Sequence, residues 1–164
     1  MEQPEYDRTA GRMRIGIVSD THDLLRPQTV SALRGVDHII HAGDICGAAV
    51  LRGLGEIAPV SAVRGNNDHG NWAADLHETL AVELGGAMLF VLHDLSQLDL
   101  DPAAAGFQVV ISGHSHRPLI ETRDDVLFIN PGSAGPRRFT LPIALGILEI
   151  SGAGLHAELR MLEV

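Results

Sequence analysis

Short apolar runs that end in a polar block recur along this chain at nearly even intervals, and that pattern constrains its fold more than any other feature. Met13 to Ser19 (MRIGIVS) is a β-branched run ending in Asp20-Thr21-His22, the reading of a buried strand that delivers side chains at its C-terminal tip. Asp37 to His41 precedes Asp44, Pro59 to Val63 precedes Asn66, Met88 to Leu92 precedes His93, and Phe107 to Ser112 precedes His114 and His116. The intervals are 22 residues from His22 to Asp44, 22 to Asn66, 27 to His93 and 21 to His114. One strand plus its return consumes about that much chain. Every block is therefore predicted on the same carboxyl edge of a sheet, where open α/β proteins place their sites.

Between the first runs the sequence reads as helix. Pro27 suits a first helical turn, Val30 and Leu33 sit three apart, and Gly35 suits the stop; Ala48 to Leu54 is a second short helix closed by Gly55. The order βαβαβ predicts a parallel sheet with right-handed crossovers. Later runs pair as hairpins: Leu80–Leu84 with Met88–Leu92 around Gly85-Gly86-Ala87, Leu119–Thr122 with Val126–Ile129 around Arg123-Asp124-Asp125, and Ile143–Ile150 with Leu155–Met161 around Gly152-Ala153-Gly154. Leu95 to Ala105 is helical or irregular. So many strands exceed one sheet, and two packed sheets flanked by helices are expected.

With 164 residues, 45% of them hydrophobic, the chain can bury one sizeable core. Residues 1–12 show no hydrophobic period and read as a loose extension, leaving 13–164 as one domain. All 12 basic residues are Arg against 21 acidic ones, a net charge of −9 that disfavours extended nucleic-acid binding. Cys46 is the lone cysteine, which rules out a disulfide within the chain and Cys-rich zinc sites. There is no apolar leader and no run near the roughly 18 residues of a membrane span, so a cytoplasmic protein without membrane contact is expected.

The polar blocks supply two aspartates, one asparagine and four histidines: Asp20, His22, Asp44, Asn66, His93, His114 and His116. Mixed imidazole and carboxylate donors suit borderline divalent ions. Seven side chains are too many for one tetrahedral ion, whereas two ions roughly 3.5 to 4 Å apart, bridged by a carboxylate and a water, would use them all. Asp44, in the middle of the series, is the natural bridge. The i, i+2 spacing in Asp20-Thr21-His22 and His114-Ser115-His116 keeps each pair on one side of an extended segment. Mn²⁺ is the expected ion, with Fe, Zn, Ni or Mg as alternatives.

Ser19-Asp20-Thr21-His22, His41-Ala42-Gly43-Asp44, Gly65-Asn66-Asn67-Asp68, Gly113-His114-Ser115-His116 and Asn130-Pro131-Gly132-Ser133 resemble the motifs of the calcineurin-like metallophosphoesterases. The resemblance runs from Arg14 to about Ile150 and is closest to the small single-domain bacterial and archaeal phosphodiesterases, which share their fold with a scaffold subunit of retromer. It implies a four-layer α/β/β/α sandwich of two mixed sheets flanked by helices. It also implies that Asp20, His22, Asp44 and His116 hold a first ion, and Asp44, Asn66, His93 and His114 a second. The implied activity is hydrolysis of a small phosphodiester, or less readily a phosphomonoester, by a hydroxide bridging the ions and attacking phosphorus in line.

Two positions depart from that pattern. Asn67 stands where many relatives carry a His that protonates the leaving group or binds the phosphoryl oxygen, and a general acid is worth ~10²–10⁴-fold. Asp94 follows His93 where relatives usually place Gly. After Pro136, Arg137 or Arg138 is placed by the resemblance to hold a substrate phosphate through a fork of donors. Asp68 reads as a support behind the ligands or a turn residue, His41 as a strand-end residue behind them, and Cys46 as a small buried hydrophobe with no His paired to it. The hairpin edges offer surfaces for a homo-oligomer. The alternative reading is a scaffold of the same fold with little or no catalysis.

Overall fold

A computed structural model describes residues 12–164 of the chain, so residues 1–11 of the expected extension lie outside the described residues. The elements in chain order are β1 (Arg12–Val18), α1 (Pro27–Ala32), β2 (His38–His41), α2 (Ala48–Gly55), β3 (Val60–Ala62), β4 (Thr79–Leu84), β5 (Ala87–Leu92), β6 (Val109–Ile111), β7 (Leu119–Arg123), β8 (Val126–Asn130), β9 (Ala144–Ser151) and β10 (Gly154–Met161). Arg12 already belongs to β1, pairing with Ser151 of β9 and setting its guanidinium against Glu149.

The strands form two mixed five-stranded sheets, ordered β10-β9-β1-β2-β3 and β4-β5-β6-β8-β7. In the first, β1, β2 and β3 run parallel, with Ile17 opposite Ile40 and His41 opposite Ala62. In the second, β5, β6 and β8 run parallel. Each hairpin turns where local chemistry permits it. Gly85 and Gly86 join β4 to β5, and Asp124 and Asp125 join β7 to β8, all four with φ between 51 and 85°, the left-handed pair that a two-residue loop requires.

Strand alternation builds the layers. Ile15, Ile17, Ile40 and Val63 of the first sheet face Leu89, Val91, Val109 and Ile111 of the second across one apolar core. Val18, Ile39, Leu145 and Ile147 turn the other way, under Leu33, Val50 and Leu54 of the helical layer. That layer packs so closely that a Cβ on Gly16 would stand 2.3 Å from Leu33 Cδ2. Over the second sheet, Phe90, Val110 and Phe128 are covered by Leu95, Leu98, Leu100 and Phe107. The covering segment is a short 3₁₀ turn at Leu95–Gln97 and further turns up to Gly106, because Asp101-Pro102 and Gly106 interrupt it too often for an α-helix. Among the described residues, no helix is long and apolar enough to cross a membrane.

Candidate metal centre

The loops that leave the parallel strands of both sheets are tied to one another by backbone hydrogen bonds. Asp20 N donates to Gly43 O at 3.0 Å, Gly113 N to His93 O at 2.9 Å, and Ala134 N to Ser19 O at 3.1 Å. Asp20 Oδ2 accepts from His114 N at 3.0 Å and from Ser19 Oγ at 2.7 Å, which joins the loop after β1 to the loop after β6. Asp20, His22, Asp44, His114 and His116 all take left-handed backbone conformations, with φ between 46 and 71°. Five such non-glycine residues in one place are unfavourable locally and are held by the surrounding contacts, a mark of functional sites. Neighbouring glycines give them room: a Cβ on Gly65 would lie 2.2 Å from Asp44 Oδ1, and one on Gly43 (φ 102°) would lie 2.7 Å from His93 Nδ1.

Two groups of donors result. Asp20, His22 and His116 form one, and Asp20, Asp44 and His93 the other, the donor atoms of each lying within 4.8 Å of one another. Asp20 Oδ1 is 3.4 Å from His116 Nε2, 3.9 Å from His22 Nε2 and 3.8 Å from His93 Nε2. Asp44 Oδ2 faces His93 Nε2 at 3.3 Å and His22 Nε2 at 3.7 Å. His114 joins from the mouth, its Nδ1 3.3 Å from His93 Nε2. Asp20, Asp44, His93 and His116 are buried, His114 is exposed, and His22 is intermediate.

This donor set fits a divalent cation. Asp20 Oδ1 and His22 Nε2 are buried without a hydrogen-bond partner, an expensive arrangement unless something else satisfies them. Two carboxylates share the same buried space. Burial pulls the Asp20 carboxyl upward, yet the facing His116 ring, the nearby His93 and the hydrogen bond from Ser19 hold it below the ordinary carboxylate range. Asp44 is depressed as well, with burial again opposed by hydrogen bonds from His93 and from both the backbone and side chain of Asn67. His93 is raised: burial opposes its charge, but Asp44 and Asp20 favour it more.

Outer contacts fix the ring orientations. His93 Nδ1 donates to Ala42 O at 2.7 Å, which aims Nε2 at Asp44. His41 is fully buried; its Nδ1 accepts from Gly43 N at 3.1 Å and its Nε2 donates to Thr21 Oγ1 at 2.9 Å, so it braces the loops on either side. Burial pushes the His41 pKa down to about 3, so the ring is neutral. Asp68 accepts three backbone N–H groups, from Asp44, Cys46 and Gly65.

Other residues singled out in the sequence lie outside the two donor groups, some beside them and some away. Asn66 is exposed, but it lines a cavity of about 310 Å³ together with His93, His114, Asp94 and Arg64. Asn67 turns its side chain onto Asp44. Asp94 caps the turn after β5 through Ser96 and stands 3.8 Å from His114. Arg137 and Arg138 are both exposed, and Arg137 spends one donor on Leu141 O at 3.2 Å. Cys46 is only partly buried, and its Sγ lies 3.6 Å from His22 Nδ1, a pairing that the left-handed turn at Cys46 (φ 66°) creates and the linear sequence conceals. Burial and the neighbouring carboxylates, Asp68 foremost, push its thiol up to about 11, so it stays protonated and is a poor nucleophile.

Asn130 carries more than the sequence assigned to it. Its Nδ2 donates to Gly113 O and to Ser115 Oγ, each at 3.0 Å, bracing the loop that presents His114 and His116. Ser133 Oγ likewise donates to Asp20 O at 3.1 Å. Asparagine is scarce, four in the chain with three of them inside motifs, and that scarcity marks the position in the sequence.

Comparison with known proteins agrees with this geometry. Residues 13–153 match the calcineurin-like phosphoesterase superfamily domain. A probable metallophosphoesterase of Methanothermobacter thermautotrophicus is 35% identical over 159 residues, covering 90% of this chain and 91% of the relative. The solved structure of an archaeal phosphodiesterase superposes with a TM-score of 0.75 at 30% identity, over 90% of this chain and all of the other. Vacuolar protein sorting 29 of Cryptosporidium parvum also superposes at 0.75, over 91% and 97% of the two chains, but at 15% identity it shares the fold alone. A domain-length match, a relative above 30% identity along nearly its whole length, and the converging donors lead to one assignment: the chain belongs to the calcineurin-like phosphoesterase superfamily.

Proposed function

We propose that this protein is a phosphohydrolase that uses two divalent ions and cleaves small phosphodiesters in preference to monoesters. The observation that carries the reading is the buried convergence of Asp20, His22, Asp44, His93 and His116, with Asp20 Oδ1 and His22 Nε2 left without partners. Asp20, His22, Asp44 and His116 would hold one ion, and Asp44, Asn66, His93 and His114 the other. Ions held there supply an activated water as nucleophile and neutralise the phosphoryl oxygens as charge develops.

The protein's own part is positioning. Ala42 O keeps the His93 Nε2 lone pair available, and Asp44 reaches toward both groups through Oδ2. The cavity beside His93 and His114 has room for the group esterified to the phosphate. Arg137 or Arg138 would clamp the phosphate, and for Arg137 that means exchanging its contact with Leu141 O. Mn²⁺ as the native ion and the cytoplasm as the place of action belong to the same proposal. The diester preference draws on the archaeal phosphodiesterase likeness.

The test is hydrolysis of a chromogenic phosphodiester and monoester by ion-stripped protein supplied with Mn²⁺, Ni²⁺, Zn²⁺ or Mg²⁺, beside Asp44→Ala. Diester turnover that needs an ion and disappears in Asp44→Ala is expected. Equal turnover in the variant would refute the reading. The scaffold alternative is supported only by fold likeness to vacuolar protein sorting 29, and bound metal without turnover under any ion would favour it.

A further inference from the structure

We infer that Asn67 is a positioning residue that presets the carboxylate of Asp44 for metal capture, rather than a substitute proton donor; the inference rests on the two-ion reading above. Both oxygens of Asp44 end on this one residue. The backbone N–H of Asn67 donates to Oδ1 at 2.9 Å, and its carboxamide Nδ2 donates to Oδ2, also at 2.9 Å. Oδ2 is the oxygen that faces His93 and His22, so the carboxamide sets the carboxylate plane toward the histidine donors. The two residues come from different loops, one after β2 and one after β3, and Asp68 locks the backbones of those loops together through Asp44 N and Gly65 N.

A carboxylate left to rotate would lose torsional freedom on binding an ion, and one held beforehand has already lost it. Outer contacts of this kind typically contribute about 10- to 100-fold to metal affinity. The position suits a test, because Asn67 is exposed and its backbone hydrogen bond survives any side-chain change. Truncation therefore removes the Oδ2 contact without opening a cavity.

The experiment titrates Mn²⁺ into ion-free wild type, Asn67→Ala and Asp44→Ala by calorimetry, and records each melting temperature without ions. For Asn67→Ala we expect Mn²⁺ affinity about 10- to 100-fold weaker, a melting temperature without ions lower by roughly the few degrees that one hydrogen bond to a charged group is worth, and turnover that recovers at saturating Mn²⁺. Affinity equal to or tighter than wild type overturns the inference, the tighter case meaning that the carboxamide competes with an ion for Oδ2. A turnover defect that saturating Mn²⁺ leaves in place, with affinity unchanged, also overturns it and makes Asn67 a catalytic residue. Wild type that takes up no Mn²⁺ removes the two-ion reading itself, a failure distinct from the others.

Discussion

Asp68 Oδ2 accepts the backbone N–H of Asp44 at 3.0 Å while its Oδ1 accepts that of Cys46 at 2.8 Å, so one buried side chain fixes the chain on both sides of Ile45. Removing it strands these donors and that of Gly65 away from water. Hydrogen bonds to a charged group are worth about 1.5–3 kcal/mol each, and lost partners add to the cost. Asp68→Ala is predicted to lower the stability of ion-free protein by at least about 4 kcal/mol in urea denaturation, and a loss well below 1 kcal/mol would contradict the bracing role.

His41 gives a pH signature. An unfolded histidine titrates near its ordinary value of 6.5, while burial depresses the folded ring to about 3. Between those values the unfolded chain binds a proton that the folded chain refuses, so stability rises with pH there. The contribution is complete above pH 6.5 and is lost as the pH falls toward 3. Ion-free wild type should therefore lose up to about 1.4 kcal/mol per pH unit more than His41→Gln below that point. Denaturation at pH 7, 6 and 5 reads the difference, and parallel profiles would mean that the folded ring accepts the proton.

Metal removal is predicted to destabilise the fold, since Asp20 and Asp44 crowd two carboxylates into one buried space. An ion that binds only the folded state adds about 2.7 kcal/mol at a hundred times its Kd. For a domain of this size that raises the melting temperature by roughly 5 to 10 °C. Thermal scans with Mn²⁺ and with excess chelator measure it directly, and coincident curves would speak against a structural contribution from the ions.

The gathering of Asp20, His22, Asp44, His93, His114 and His116 was legible in the sequence because strand-ending polar blocks repeat with the period of the fold, and the hairpins were legible because Gly85-Gly86 and Asp124-Asp125 carry their turn conformations in their residue types. The contacts behind the ligands were not. The approach of Cys46 to His22, the grip of Asp68 on Asp44 and the turn of Asn67 onto Asp44 all follow from left-handed φ values at Asp44 and Cys46, which no local pattern announces. The cover over the second sheet was equally hidden, since Leu95 to Phe107 has no period and takes its shape from the apolar face beneath it. Arg137 and Arg138 depend on the path of an exposed loop, which spacing does not reveal.

Asp20, His22, Asp44, Asn66, His93, His114 and His116 are proposed to hold two ions together, and anomalous diffraction from crystals grown with Mn²⁺ tests this most directly. Two peaks are predicted, one beside His22 and His116 and the other beside His93 and His114, with Asp44 reaching both. A single peak, or none with the donors intact, would contradict the account.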